Sequence, residues 1–159
     1  MSTADVHADT PADSPEVGTI DMMIEVVTLP VSDVDRAKRF YGSLGWRLDA
    51  DLVVGDAVRV VQFTPPGSNA SIAFDSGLTT AEPGSIERLE VVVSDIVAAR
   101  DDLIARGVEV SEPFHLADGE FRPGLDPERR SYLSYASFSD PDGNGWLLQE
   151  VTTRGRVRS

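Results

Sequence analysis

Val31-Ser32-Asp33-Val34 returns 62 residues later as Val93-Ser94-Asp95-Ile96, and this repeat decides the fold. The same offset pairs Ala37 with Ala99, Gly45 with Gly107 and Leu48 with Val110. Each copy is preceded by an apolar segment that reads as a strand, Met22 to Pro30 and Ile86 to Val93. Each copy then opens a helix. From Asp33 to Leu44, Val34, Ala37, Tyr41 and Leu44 recur at spacings of three and four and make one apolar stripe. From Asp95 to Arg106, Ile96, Ala99 and Leu103 do the same. Ser32 with Asp35 three residues on predicts a capping box at the first helix. Gly45 and Gly107 can take the left-handed conformation that ends each helix.

Strand-like segments follow each helix. They are Trp46 to Val54, Ala57 to Phe63 and Ala70 to Asp75 in the first copy, then Val108 to Glu112, Ser131 to Phe138 and Trp146 to Val151 in the second. Asp140-Pro141-Asp142-Gly143 is a turn signal, because proline presets the second turn position while Asp and Gly suit the first and last. The fold class expected is α+β, two tandem βαβββ modules. Side by side they would curve into a half-open mixed β-barrel, with helices on the outer face and the inner face left for a ligand.

The expected organisation is an acidic tail over 1–19, a single domain over 20–152 and a flexible tail over 153–159. Within the domain, module one covers 20–80 and module two 84–152. The first tail is rich in Asp, Pro, Ser, Thr and Ala and poor in large apolar residues, a composition that cannot bury a core. No apolar run reaches the roughly 18 residues a membrane helix needs, and no basic start with an apolar stretch marks a signal peptide. With no cysteine, disulfides and thiolate chemistry are excluded, and a cytoplasmic location is expected. Fourteen basic and 27 acidic residues give a net charge of −13, which repels nucleic acid and anionic membranes. That acidity either serves solubility or favours neutral and cationic ligands.

Ile24-Glu25-Val26-Val27-Thr28-Leu29-Pro30-Val31-Ser32-Asp33, then Arg36-Ala37-Lys38-Arg39-Phe40-Tyr41 and Leu44-Gly45-Trp46, resembles the opening of glyoxalase and bleomycin-resistance-like proteins. Asp140-Pro141-Asp142-Gly143-Asn144 before an apolar strand resembles their closing strand. The resemblance is to the vicinal oxygen chelate superfamily, which also holds extradiol dioxygenases. It spans about residues 21–152 and speaks for fold more than for reaction. In its metal-using members four inward strand positions supply His or Glu ligands. Carried over position by position, these fall on Val26, Arg88, Leu147 and, within one residue of register, Ala73. Val, Ala and Leu bring no lone pair, and Arg brings a fixed positive charge. Only His7 and His115 are present, so a site with two or three imidazoles is not available. No metal and no cofactor are therefore expected, although an oxygen-only site of carboxylates stays open.

If those positions face inward, strand alternation adds Ile24 and Thr28, Glu90 and Val92, Gly145 and Gln149, while Val27, Leu29, Val91 and Val93 pack beneath the helices. Apolar walls from Val26, Val92 and Leu147, with polar handles from Thr28, Arg88, Glu90 and Gln149, make an organic-ligand lining. Arg88 and Glu90 can serve as anchor and base for an oxygen-bearing ligand, or form a solvated ion pair at an open rim.

Glu112 to Arg130 is long for a connection and reads as a lid or binding loop, holding Phe114, His115, Phe121, Arg122 and Pro123. Its Phe-His start and its Pro127-to-Tyr132 finish are similar to those of some glyoxalase-like proteins. His115 can shuttle protons or simply be an exposed loop histidine. Tyr132 and Tyr135 lie on opposite faces of the following strand, so either can reach the ligand, or both can pack in the core. Trp46 and Trp146 read as packing residues.

Three functions are open. The first is a metal-free binder of a small organic molecule, resembling bleomycin-resistance proteins, which often form homodimers with shared clefts. The second is a metal-independent isomerase, lyase or cyclase using Glu90 or His115 as acid or base. The third is a metal enzyme with non-standard ligands. The ligand-binding residues expected are Thr28, Arg88, Glu90, Tyr132, Tyr135, Leu147 and Gln149, the partners a small molecule and a second copy of the chain.

Overall fold

Two aspartates from the repeat start the two helices. A computed structural model describes residues 16–153; most of the expected tails, and His7, lie outside them. The first module holds β1 (Val26–Thr28), α1 (Val34–Ser43), β2 (Arg47–Val54), β3 (Val58–Thr64) and β4 (Ser71–Asp75). The second holds β5 (Leu89–Val93), α2 (Ile96–Ala105), β6 (Phe114–Ala117), β7 (Glu120–Pro123), β8 (Ser134–Ser139) and β9 (Gly145–Glu150). Asp33 caps α1 by accepting from Arg36 N at 3.1 Å, and Asp95 caps α2 by accepting from Val97 and Ala98 N. The expected Ser32–Asp35 capping box is therefore corrected. Ser32 is drawn away by Asp142, which accepts from both its N–H and its hydroxyl.

The modules build a four-stranded sheet, β1-β4-β3-β2, and a five-stranded sheet, β5-β9-β8-β6-β7. In each, the first strand runs parallel to the last and the others pair antiparallel. This is the expected α+β class, with the sheets open rather than closed into a barrel. β6 occupies the place of β2, and β7 is an addition to the second module.

The strand expected over Val108 to Glu112 is a second correction. Ser111 N does donate to Ser137 O, but the Ser111 carbonyl accepts from Arg100 Nε and its hydroxyl serves Ser137 N. Pro113 then offers no N–H, so the ladder starts at Phe114. A third correction concerns Glu112 to Arg130, half of which is the β6–β7 hairpin rather than a loop. Asp118 and Gly119 turn it with φ of 54° and 78°, the two positive angles a type I′ turn requires.

α1 packs on β3 and β4, and α2 on β8 and β9. The modules meet through these covered faces in one apolar core containing Leu29, Tyr41, Phe63 and Phe74 from the first and Ile96, Leu103, Phe138 and Trp146 from the second. Burying each such side chain contributes roughly 1.5–3 kcal/mol. Trp146 stands edge-on to Tyr41 and Trp46, with centroids 6.1 and 5.2 Å apart.

The Asp140–Asn144 turn clasps the two modules. Asp140 accepts from the Tyr41 hydroxyl at 2.8 Å, and Tyr41 in turn accepts from Trp146 Nε1 at 2.9 Å. Burial and the neighbouring Asp140 charge hold the Tyr41 phenol well above its ordinary pKa, so it stays a donor. Asn144 donates to Pro30 O and accepts from Ile86 N. Gly84 fits here because a Cβ would lie 2.1 Å from Asp142 O.

Candidate functional site

Each sheet turns one face to the core and leaves the other open. On β9, Trp146, Leu148 and Glu150 are buried while Gly145, Leu147 and Gln149 are half-buried on the opposite side. Register carries that open face across the second sheet. Glu90 lies beside Leu147 and Ser137, and Val92 beside Gln149, Tyr135 and Phe114. Arg88, one step before β5, donates from Nε to Glu90 Oε2 at 3.0 Å. Its side chain is 56% exposed and that of Glu90 is 38% exposed. A cleft of about 340 Å3 opens here, lined by Arg88, Phe114, Phe121, Ser137 and Leu147 among others.

Five of the seven ligand-binding candidates, Arg88, Glu90, Tyr135, Leu147 and Gln149, share this face. Tyr135 is 5% exposed, and its hydroxyl donates to Tyr132 O at 2.8 Å, where Gln149 Nε2 also donates at 3.1 Å. Tyr132 sits in the turn before β8 with φ 74°, and its N–H donates to Glu150 O. Thr28 lies in the other sheet, beside Ala73, and so is not brought to Arg88 within one chain. His115 is 9% exposed, and its Nδ1 lies 2.7 Å from Gly124 O. It alternates with Phe114 and therefore points away from the face that carries Glu90. The exposed-loop reading of His115 is thus corrected, because β6 buries it.

Two aromatic residues of this face were not legible as strand residues. Phe114 stacks on Tyr135 with centroids 5.6 Å apart and a 20° tilt. Phe121 stands nearly perpendicular to both, 5.5 Å from Phe114 and 5.6 Å from Tyr135. Ala117-Asp118-Gly119-Glu120 between alternating apolar residues was the available signal, since Asp-Gly favours a two-residue hairpin turn.

Below the sheet, two carboxylates pin the turn that leads into β8. Asp126 accepts from Arg130 Nε and Nη2 and from its backbone N. Glu150 accepts from Arg129 Nε and Nη2 and from Ile96 N at the start of α2. The guanidinium hydrogen bonds hold both carboxyls below their ordinary pKa, against the opposing effect of burial.

The four positions that the resemblance assigns to metal ligands fall into two matched pairs. Thr28 registers with Ala73 and Glu90 with Leu147, so Val26 and Arg88 each precede their partner by the same two-residue step. The step from Val26 to Arg88 is 62 residues and from Ala73 to Leu147 it is 74, the longer one spanning the β6–β7 hairpin. Val, Ala and Leu cannot donate to a cation, and Arg repels one, so these residues do not fit the metal. Among the described residues no group of three or more His, Cys, Asp or Glu is arranged to hold an ion. Nor is any described helix long and apolar enough to cross a membrane.

Comparison with known proteins agrees with this architecture. Residues 23–148 match the family model of the Glyoxalase/Bleomycin resistance protein/Dioxygenase superfamily. Among solved structures the chain is similar to TnmS3, an antibiotic binding protein from Streptomyces sp. CB03234, with 30% identity and a TM-score of 0.66. That match covers 84% of this chain and 99% of TnmS3. A glyoxalase/bleomycin resistance protein from the same organism is 32% identical, with a TM-score of 0.62, covering 80% of this chain and all of that one. A superfamily member from Sphaerobacter thermophilus DSM 20745 is 28% identical, with a TM-score of 0.63, covering 82% and 98%. A search of curated proteins finds no match. The paired βαβββ modules, the Asp-Pro-Asp-Gly clasp and the family match together place the chain in the Glyoxalase/Bleomycin resistance protein/Dioxygenase superfamily.

Proposed function

We propose that the chain binds a small organic molecule on the open face of its second sheet without a divalent metal. The observation that carries this is the residue set Val26, Ala73, Arg88 and Leu147 at the positions where a metal would need donors. Arg88 puts a fixed cation there instead, and a cation recognises ligand oxygen directly. TnmS3 binds an antibiotic, and a ligand of that general kind, held rather than converted, suits a cleft lined by apolar walls with Arg88 and Glu87 as its charged residues. Glu90 and His115 point to opposite faces, which supports binding over chemistry that uses both.

A homodimer belongs to the same proposal. The open face of the first sheet leaves Val26, Leu52 and Val54 between 42% and 57% exposed, and that of the second leaves Val92 and Phe121 at 43% and 57%. Met22, Met23 and Ile24, ahead of β1, are 72–88% exposed. So much apolar surface on one chain favours association, and a second copy that set its first sheet against this second sheet would close the cup and bring Thr28 to Arg88. A cytoplasmic setting is proposed with it, supported by the absence of cysteine.

The test is a thermal-shift screen of the wild type, Arg88→Ala and Glu90→Ala against a library of small organic molecules. Ligands that stabilise the wild type should lose most of their effect on Arg88→Ala, while its unliganded melting temperature stays close to wild type. Ligand responses that are identical in all three proteins would remove this face as the site.

A further inference from the structure

We propose that the molecule bound here is a flat aromatic ring system bearing one anionic or carbonyl oxygen, its ring against Phe114 and Phe121 and its oxygen at Arg88. This rests on the binding reading above and narrows it to one chemical class.

The ring preference comes from the hairpin. Phe114 lies over the buried Tyr135, and Phe121 meets both at 84°. The three rings brace one another, so the side chains are held before any ligand arrives. Phe114 and Phe121 both line the cleft, with Leu147 as a further apolar wall. Phe121 is 57% exposed on β7, so its ring is accessible to a molecule in the cleft. Rings meeting at an angle accept a further ring by stacking on one and edge contact with the other.

The oxygen preference comes from Arg88. Among the described residues its side chain hydrogen-bonds only Glu90, through Nε. The two terminal nitrogens remain, and a planar guanidinium matches a carboxylate, phenolate or quinone-type oxygen in the plane of a ring. Arg88 already meets the Glu90 charge, and of the two charged residues that line the cleft, Arg88 and Glu87, only Arg88 can donate to a ligand oxygen, so the ammonium probe below tests whether Glu87 draws a cation instead. A polyanion is disfavoured by the −13 net charge. At about 340 Å3 the cleft lies near the lower end of the roughly 300–1,000 Å3 typical of small-ligand sites, which suits a compact fused ring.

The experiment measures calorimetric binding of three probes: 2-naphthoate, its fully saturated decahydro analogue and 2-naphthylmethylammonium. Wild type should bind 2-naphthoate at least about tenfold more tightly than either other probe. Phe121→Leu and Arg88→Gln should each weaken 2-naphthoate by about tenfold, and Phe121→Tyr should restore most of the lost affinity. Phe121 is largely exposed, so these variants are expected to keep the wild-type melting temperature, and Phe114→Leu provides a second ring deletion. Equal affinity for the saturated acid, preference for the ammonium probe, indifference to both ring deletions, or no binding of 2-naphthoate would overturn the aromatic assignment. The broader binding reading falls separately, only if the library screen yields no ligand whose effect depends on Arg88.

Discussion

Tyr41 and Arg88 show how differently single residues can be used in this chain. Tyr41 is fully buried and bridges Asp140 to Trp146, so its hydroxyl connects α1 to the clasp of the other module. Tyr41→Phe removes both bonds and leaves two buried partners short of one. It should cost about 1–3 kcal/mol, read as a lower urea midpoint with an unchanged slope. Arg88 is half-exposed, and its bond to Glu90 is an open ion pair worth about 0–1 kcal/mol. Arg88→Ala should therefore leave stability nearly unchanged and appear in ligand response. The sequence marked Tyr41 as core through its helical spacing, whereas Arg88 came as a lining position from the family resemblance, which strand alternation then extended to Glu90. It did not show that Tyr135 and Gln149 would be tied to the Tyr132 carbonyl, because that contact depends on a turn with a positive φ at a tyrosine.

Among the elements, the turn over 126–132 carries the two ion pairs whose carboxylates are fully buried. Asp126 and Glu150 are fully buried carboxylates whose arginines reach solvent, with side chains 47% and 40% exposed. Their folded pKa values are depressed, so they stabilise the fold fully above the ordinary carboxylate range near pH 4 and lose that contribution as the pH falls through the folded values. Urea midpoints measured from pH 7 to pH 3 should drop on acidification, and Glu150→Gln should flatten that drop. Arg129→Ala should destabilise by about 2–3 kcal/mol at pH 7, less than the 3–5 kcal/mol for a fully buried pair because water reaches the guanidinium. The helices were legible to within a residue at each end, since their stripes and terminal glycines agree, although the first is capped by Asp33 rather than by the Ser32–Asp35 box. The hairpin was not, because Phe114, Leu116, Phe121 and Pro123 alternate over only four-residue strands and the long polar turn after them resembles a loop.

At the scale of the whole molecule, the repeat predicted two modules, and their tight union through Asp140–Asn144 follows from the Asp-Pro-Asp-Gly-Asn motif. How the sheets sit was less legible. Strand patterns show which face is apolar but not which sheet of which copy it meets. In one chain the modules share a core on their helix-covered sides and leave both other faces open, so the proposed cup needs a second copy. Light scattering after size exclusion should give twice the chain mass, and Leu52→Glu with Val54→Glu should return it toward one chain while leaving the circular dichroism spectrum intact.

The claim on which the function turns is that Val26, Ala73, Arg88 and Leu147 leave a divalent ion nothing to hold. Elemental analysis of full-length protein, purified without chelator and then equilibrated with zinc, iron, nickel and manganese before exhaustive dialysis, tests it most directly. Only trace metal should remain, with the ligand-induced thermal shift undiminished. One retained ion per chain, lost with the ligand response when a chelator is added, would contradict it.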